Sequence, residues 1–175
     1  MPVGAALRRF ALLPAALMLL AAPASAHDVP IDALVKMFVK PQGHTLQVLM
    51  SMPLASDADG EYPHLGSGYV DLAHAGPFLR EAAQVALLEN LQFYEGDTLL
   101  ANPRIVATRM SLDSDPSFTS YERALAHIRA PPLPANTNIY WEQGKLDVLV
   151  EYPIQSDRSY FSIHAAFDRL AQHEV

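Results

Sequence analysis

The chain carries seven histidines, nineteen carboxylate side chains and no cysteine. With no thiolate available, a metal ion would sit on nitrogen and oxygen, or, if it is soft like copper(I), on the methionine thioethers. A thiolate zinc site, an iron–sulfur cluster, a disulfide framework and a cysteine nucleophile are all excluded. His27 is the most suggestive of the histidines because of what precedes it. Arg8 and Arg9, an apolar run from Phe10 to Ala22 and the small-residue triplet Ala24-Ser25-Ala26 form the three regions of a secretory signal peptide. Cleavage after Ala26 leaves His27 with a free amine beside its imidazole. Those two nitrogens can chelate one ion, and copper or nickel favours such tetragonal nitrogen sites. The amine has a pKa of about 7.7–8, so its proton is displaced readily near neutral pH.

Hairpin geometry selects the partners. Runs at 31–40 and 45–53 alternate apolar and polar residues on either side of Pro41-Gln42-Gly43-His44. With the turn centred between Gln42 and Gly43, opposed residue numbers sum to about 85. His27 then lies near position 58, beside Asp57 and Asp59, with His64 a short loop away. His44 is at the other end of a strand ~33 Å long and cannot join them. The candidate metal site is therefore His27, His64 and one of Asp57 or Asp59, with copper or nickel as the ion. The plainer reading is a frayed terminus that ligates nothing.

Other signatures fail. There is no G-x-S-x-G elbow, phosphate loop, G-x-G-x-x-G or H-E-x-x-H. Gly66-Ser67-Gly68 reads as loop. Asp57-Ala58-Asp59-Gly60-Glu61 begins like a calcium loop, but Tyr62 and Gly68 occupy the positions that need Gly and Glu. Met37, Met50 and Met52 share strand faces with valines and read as core filler. His74 falls in a small-residue connector, His127 near the end of a helix, His164 half-buried in a last strand and His173 near the terminus.

The elements that must position these residues follow from period and punctuation. After the first hairpin comes a loop over 54–68 and a short strand over 69–72. A helix runs from Gly76-Pro77 to about Glu89, with Phe78, Leu79, Ala82, Ala83, Val85 and Ala86 at helical spacing. A second hairpin spans 91–101, and a strand spans 104–112. A helix spans 120–129, its start marked by Thr119 and Glu122 as a capping box. Pro131-Pro132-Leu133-Pro134 ends it. Residues 138–142 and 145–152 read as a third hairpin, and 160–167 as one more strand or short helix. The expected fold is mainly β, an Ig-like antiparallel β-sandwich with two short helical insertions. Residues 1–26 are the signal peptide and 27–175 a single exported domain.

The net charge of −7, or −9 without the leader, argues against a nucleic-acid partner. The apolar run of about 13 residues in the leader is too short to cross a bilayer, and no other stretch is longer. The mature chain is expected in the periplasm or outside the cell, without a transmembrane helix.

Several short strings resemble a known family: Phe38-Val39-Lys40-Pro41, Pro77-Phe78-Leu79-Arg80, Ser120-Tyr121-Glu122-Arg123-Ala124-Leu125-Ala126-His127, Pro131-Pro132-Leu133-Pro134 and Glu151-Tyr152-Pro153-Ile154. Together with the start at His27, they resemble the exported N-terminal region of HupE/UreJ-like membrane proteins, over most of 27–168. The resemblance implies a link to hydrogenase or urease accessory roles and to nickel handling, with a membrane protein of the accessory or permease type as partner. It implies no active-site residues. The chain differs from that family in ending at Val175, before any membrane domain. The expected function is that of a non-enzymatic extracytoplasmic domain that binds a partner or ligand. A free-standing copper or nickel protein using His27 and a hydrolase with an unrecognised site are the alternatives.

Overall fold

The computed structural model describes residues 35–54 and 62–165. In them the chain is mainly β, with antiparallel sheets and two α-helices, as the residue pattern leads one to expect. The signal peptide, His27, Asp57, Asp59 and His173 lie outside the described residues.

Strands β1 (Lys36–Gln42) and β2 (Thr45–Pro53) form the first hairpin. Gln42 pairs with Thr45 and Lys36 with Ser51, so opposed numbers sum to 87 rather than 85. The turn is Gly43-His44, not Gln42-Gly43. Gly43 takes φ +59, the left-handed conformation that a two-residue hairpin turn demands and that glycine adopts without steric cost.

The central sheet has the order β1-β2-β8-β7, where β7 is Arg104–Leu112 and β8 is Gly144–Pro153. β2 and β8 lie in the middle and are buried on both faces, which is why Leu49 and Leu149 are as buried as Val48 and Val148. On one face Leu46, Val48, Met50 and Met52 of β2 and Leu146, Val148, Val150 and Tyr152 of β8 form the main core. Helix α1 (Ala75–Asn90) covers it through Ala75, Leu79, Ala82, Ala83 and Leu87. The alanines let the helix approach closely. Val85, expected on this stripe, is 42% exposed. The same core takes in Leu91 and Phe93 of β5 (Leu91–Glu95), which pairs with β6 (Thr98–Leu99) and β9 (Phe161–Ala165) in a second sheet. Each such fully buried side chain contributes about 1.5–3 kcal/mol. Met50 and Met52 are core filler, as expected.

On the opposite face, α2 (Tyr121–Arg129) packs Ala124 and Ile128 over Leu49, Leu149 and Phe118. Its N-cap is Ser120, whose Oγ accepts from the Arg123 amide at 3.3 Å. Thr119, the expected cap, instead ends a 3-10 turn and donates its hydroxyl to the Pro116 carbonyl. The third expected hairpin does not form. Residues 141–143 make a 3-10 turn, Tyr140 bridges to Tyr69, and β8 pairs with β2 and β7 instead. Alternation alone cannot choose among three available partners, and the completely buried Ile139 ties this segment to the core.

Candidate functional site

An open cleft of about 1000 Å³ lies between α1 and the small hairpin of β3 (His64–Leu65) and β4 (Tyr69–Val70). Local sequence fixes its wall. Gly68 has φ +97, and a Cβ there would stand 2.3 Å from Cε2 of Tyr140. Only glycine lets the hairpin close on that ring. The Trp141 amide then donates to the Gly68 carbonyl at 3.0 Å, and the Val70 amide to the Ile139 carbonyl at 2.9 Å. The hairpin is thereby pinned to the segment that precedes β8.

Tyr62 organises the aromatic side of the cleft. Its ring stacks on Trp141 at 5.5 Å between centroids, and it meets Phe78 of α1 at 6.2 Å and His64 at 5.9 Å. Burial, followed by the negative influence of Tyr140 and Glu142, pushes the Tyr62 phenol up.

Asp71 organises the polar side. Its amide donates to the Pro63 carbonyl at 2.8 Å, joining the two ends of the hairpin. Its Oδ1 accepts from the Ala73 amide and its Oδ2 from Nδ1 of His74 at 2.7 Å. His74 occupies the N-cap position of α1 without making a side-chain cap hydrogen bond. The hydrogen bond from His74 holds the Asp71 carboxyl below its ordinary range, with the adjacent amides adding to the effect and partial desolvation opposing it. His64, His74, Asp71, Glu81 and Ser67 all line this space. An imidazole with one nitrogen tied to a carboxylate can act as a base or as a metal ligand. Base catalysis of acyl transfer also needs a nucleophile at the other nitrogen, and Ser67 makes no hydrogen bond to His74.

A second polar cluster is sealed between α2 and the sheet. Asp147, at the middle of β8, is 0% exposed and receives Nε2 of His127 at 3.0 Å. Nδ1 of the same ring stands 3.6 Å from the Asp115 carboxylate. Arg109, paired with Asp147 across β7 and β8, donates to the Ala130 and Pro131 carbonyls beyond the end of α2. Burial pushes the Asp147 carboxyl up, and the Ser111 and Ser51 hydroxyls and His127 draw it only part of the way back. Ser51 and Ser111 are themselves buried, so no substrate reaches them. The cluster positions α2. His127 is therefore a part-buried contact to two carboxylates, not merely a residue near a helix end.

Searches against family models, curated proteins and solved structures return no match.

Of the expected metal ligands, His64 is described and lines the cleft, while His27, Asp57 and Asp59 lie outside the described residues. Among the described residues, no three His, Asp or Glu side chains converge on a point that could hold a metal ion. His44 does not line the cleft; its Nδ1 donates to the Gln155 carbonyl at 2.9 Å. His164, expected half-buried, is exposed, because β9 contributes little beyond its first residue to the core. Sequence reasoning missed Asp71 and His74. An Asp three residues before a His, just ahead of Gly-Pro, is a signal it could have used. Asp147 was also legible in principle, as a charge inside the apolar run Leu146–Val150. Among the described residues, no helix is long and apolar enough to cross a membrane.

Proposed function

We propose that this chain is a non-enzymatic extracytoplasmic binding domain that serves a membrane protein of the HupE/UreJ type and engages it through the cleft between the β3–β4 hairpin and α1. The export pattern of residues 1–26 and the family strings supply the setting. The observation that carries the reading is the contrast between the two polar clusters. The Asp147–His127 pair is walled in by helix and sheet, whereas His64, His74, Tyr62 and Phe78 border an open space of about 1000 Å³. Sites that recognise another molecule combine apolar or aromatic walls with a few polar groups of fixed orientation, and this cleft has both.

The absence of cysteine makes a direct test simple. A photocrosslinker is attached to Ser67→Cys in the cleft and, as a control, to Asp97→Cys in the distant β5–β6 turn. Each variant is expressed as the full chain in cells, with its leader. The reading predicts a cleft-specific adduct with a protein of several membrane spans. Adducts that form equally from both positions, or only with cytosolic proteins, would overturn it.

A further inference from the structure

The cleft sets carboxylates beside aromatic rings. Phe78 of α1 meets the Tyr62 ring at 6.2 Å between centroids, and Tyr62 in turn stacks on Trp141 at 5.5 Å. Glu81 stands three residues after Phe78 on α1, a spacing that puts both side chains on one helix face with Cβ atoms about 5–6 Å apart. Glu81 is exposed and lines the cleft, and no described residue offers it a hydrogen bond or ion pair. The neighbouring cation of α1, Arg80, is engaged elsewhere, since its Nη1 donates to the Ile105 carbonyl of β7 at 3.1 Å. Asp71 is the second carboxylate of the lining. On the aromatic side, burial first and then Tyr140 and Glu142 raise the Tyr62 phenol, so the Glu142 carboxylate acts on the same ring. Among the described residues, no Lys or Arg lines this space. Rings flanked by carboxylates attract a cation both through the ring quadrupole and through charge.

We infer that the cleft receives an arginine-bearing segment of the partner, its guanidinium seated between the Glu81 carboxylate and the Phe78 and Tyr62 rings, an inference that rests on reading the cleft as this chain's binding site. Arginine fits better than lysine. Its planar guanidinium can pair with a carboxylate through two N–H groups while its face lies on an aromatic ring. The volume of about 1000 Å³ stands at the upper end of the range that holds drug-sized ligands. It therefore admits several residues of an extended segment, and Pro63 and Pro77 give that segment further apolar wall. The net charge of −7 steers a basic segment toward the chain as a whole. The rings beside Glu81 select this place on it.

Trp141 is the single tryptophan of the chain and stacks on Tyr62, so its emission reports the cleft. The exported full chain is titrated at pH 8 with a blocked hexapeptide of alternating leucine and arginine. Two controls carry citrulline, which keeps the shape and loses the charge, or lysine in place of arginine. The inference predicts a saturable change in Trp141 emission with the arginine peptide, with binding about fivefold weaker for the citrulline peptide and about threefold weaker for the lysine peptide. Glu81→Gln should weaken the arginine peptide by about fivefold and Glu81→Lys by about tenfold. Asp97→Lys in the distant β5–β6 turn makes the same change in net charge as Glu81→Lys and should weaken binding by less than about twofold. Circular dichroism checks that each variant is folded. Equal binding of the arginine and citrulline peptides, equal losses from Glu81→Lys and Asp97→Lys, or no saturable change in Trp141 emission would overturn it. The crosslinking experiment reads separately. A cleft-specific membrane adduct whose yield Glu81→Lys leaves unchanged keeps the binding domain and removes the arginine contact. Selective binding of the arginine peptide without that adduct removes the membrane partner and leaves a cleft for basic segments.

Discussion

At the scale of single residues, the carboxylates divide by the sign of their coupling to folding. Glu95 accepts from the Gln155 and Ser156 amides and from the Ser159 hydroxyl, which fastens the chain between β8 and β9 to β5. The Ser159 hydroxyl and the two amides hold its carboxyl below the ordinary glutamate range. A depressed folded value means stabilisation that is present above the unfolded pKa and lost as pH falls through the folded one. Glu95→Gln should therefore lower Tm near neutrality and flatten the acid limb of the Tm–pH curve below about pH 4.3. An unchanged acid limb would show that this latch does not couple to folding. Asp147 has the opposite sign. Burial raises its carboxyl, so its contribution is full at low pH and declines as pH rises through the folded value. Removing one partner of a buried pair leaves the other desolvated. Asp147→Ala should cost about 1–3 kcal/mol in urea unfolding. A loss below about 1 kcal/mol would mean that His127 finds another acceptor or water.

At the scale of elements, turns and caps distinguish what the amino-acid pattern determines from what tertiary contact decides. Gly43 and Gly68 both have positive φ, yet their surroundings differ. Nothing lies within 4 Å of a Cβ built at Gly43, whereas one at Gly68 strikes Tyr140. Gly43→Ala should cost about 1–2 kcal/mol, the backbone strain alone. Gly68→Ala should cost more and shift Trp141 emission, because the hairpin must lift off Tyr140 and carry the cleft wall with it. Equal costs at the two positions would contradict this account of the hairpin. Ser120→Ala should destabilise by about 1 kcal/mol through loss of the α2 cap, and Thr119→Ala by much less. The first hairpin, both helices and the strand 104–112 are legible because strong periodicity coincides with Gly or Pro punctuation. The hairpin register misses by one residue in turn position: both registers keep Leu46 and Val48 on the same face, and turn chemistry decides, with Gly43 taking the positive φ as the first of the two turn residues. Residues 138–142 mislead for another reason. Their alternation is real, but the partner strand is chosen by β2 and β7 closing on β8.

At the scale of the whole molecule, both faces of the central sheet are covered, and the polar chemistry is sorted by access. α2 seals Asp147 and His127 away, while α1 and the β3–β4 hairpin leave His64 and His74 at the surface. Sequence periodicity indicates a mainly β chain with two helices, but it does not show which faces the helices cover. The cleft was half legible. His64 emerged through its placement after the first hairpin, whereas the place of His74 beside the same cleft emerged only with the Pro63–Asp71 contact, which joins segments that spacing alone does not connect.

The account hangs on the chain working outside the cytoplasm with its leader removed. The most direct measurement is N-terminal sequencing of the protein recovered from fractionated cells. It should begin at His27 and partition with the extracytoplasmic fraction; an intact Met1 in the cytosol would contradict the account at its base.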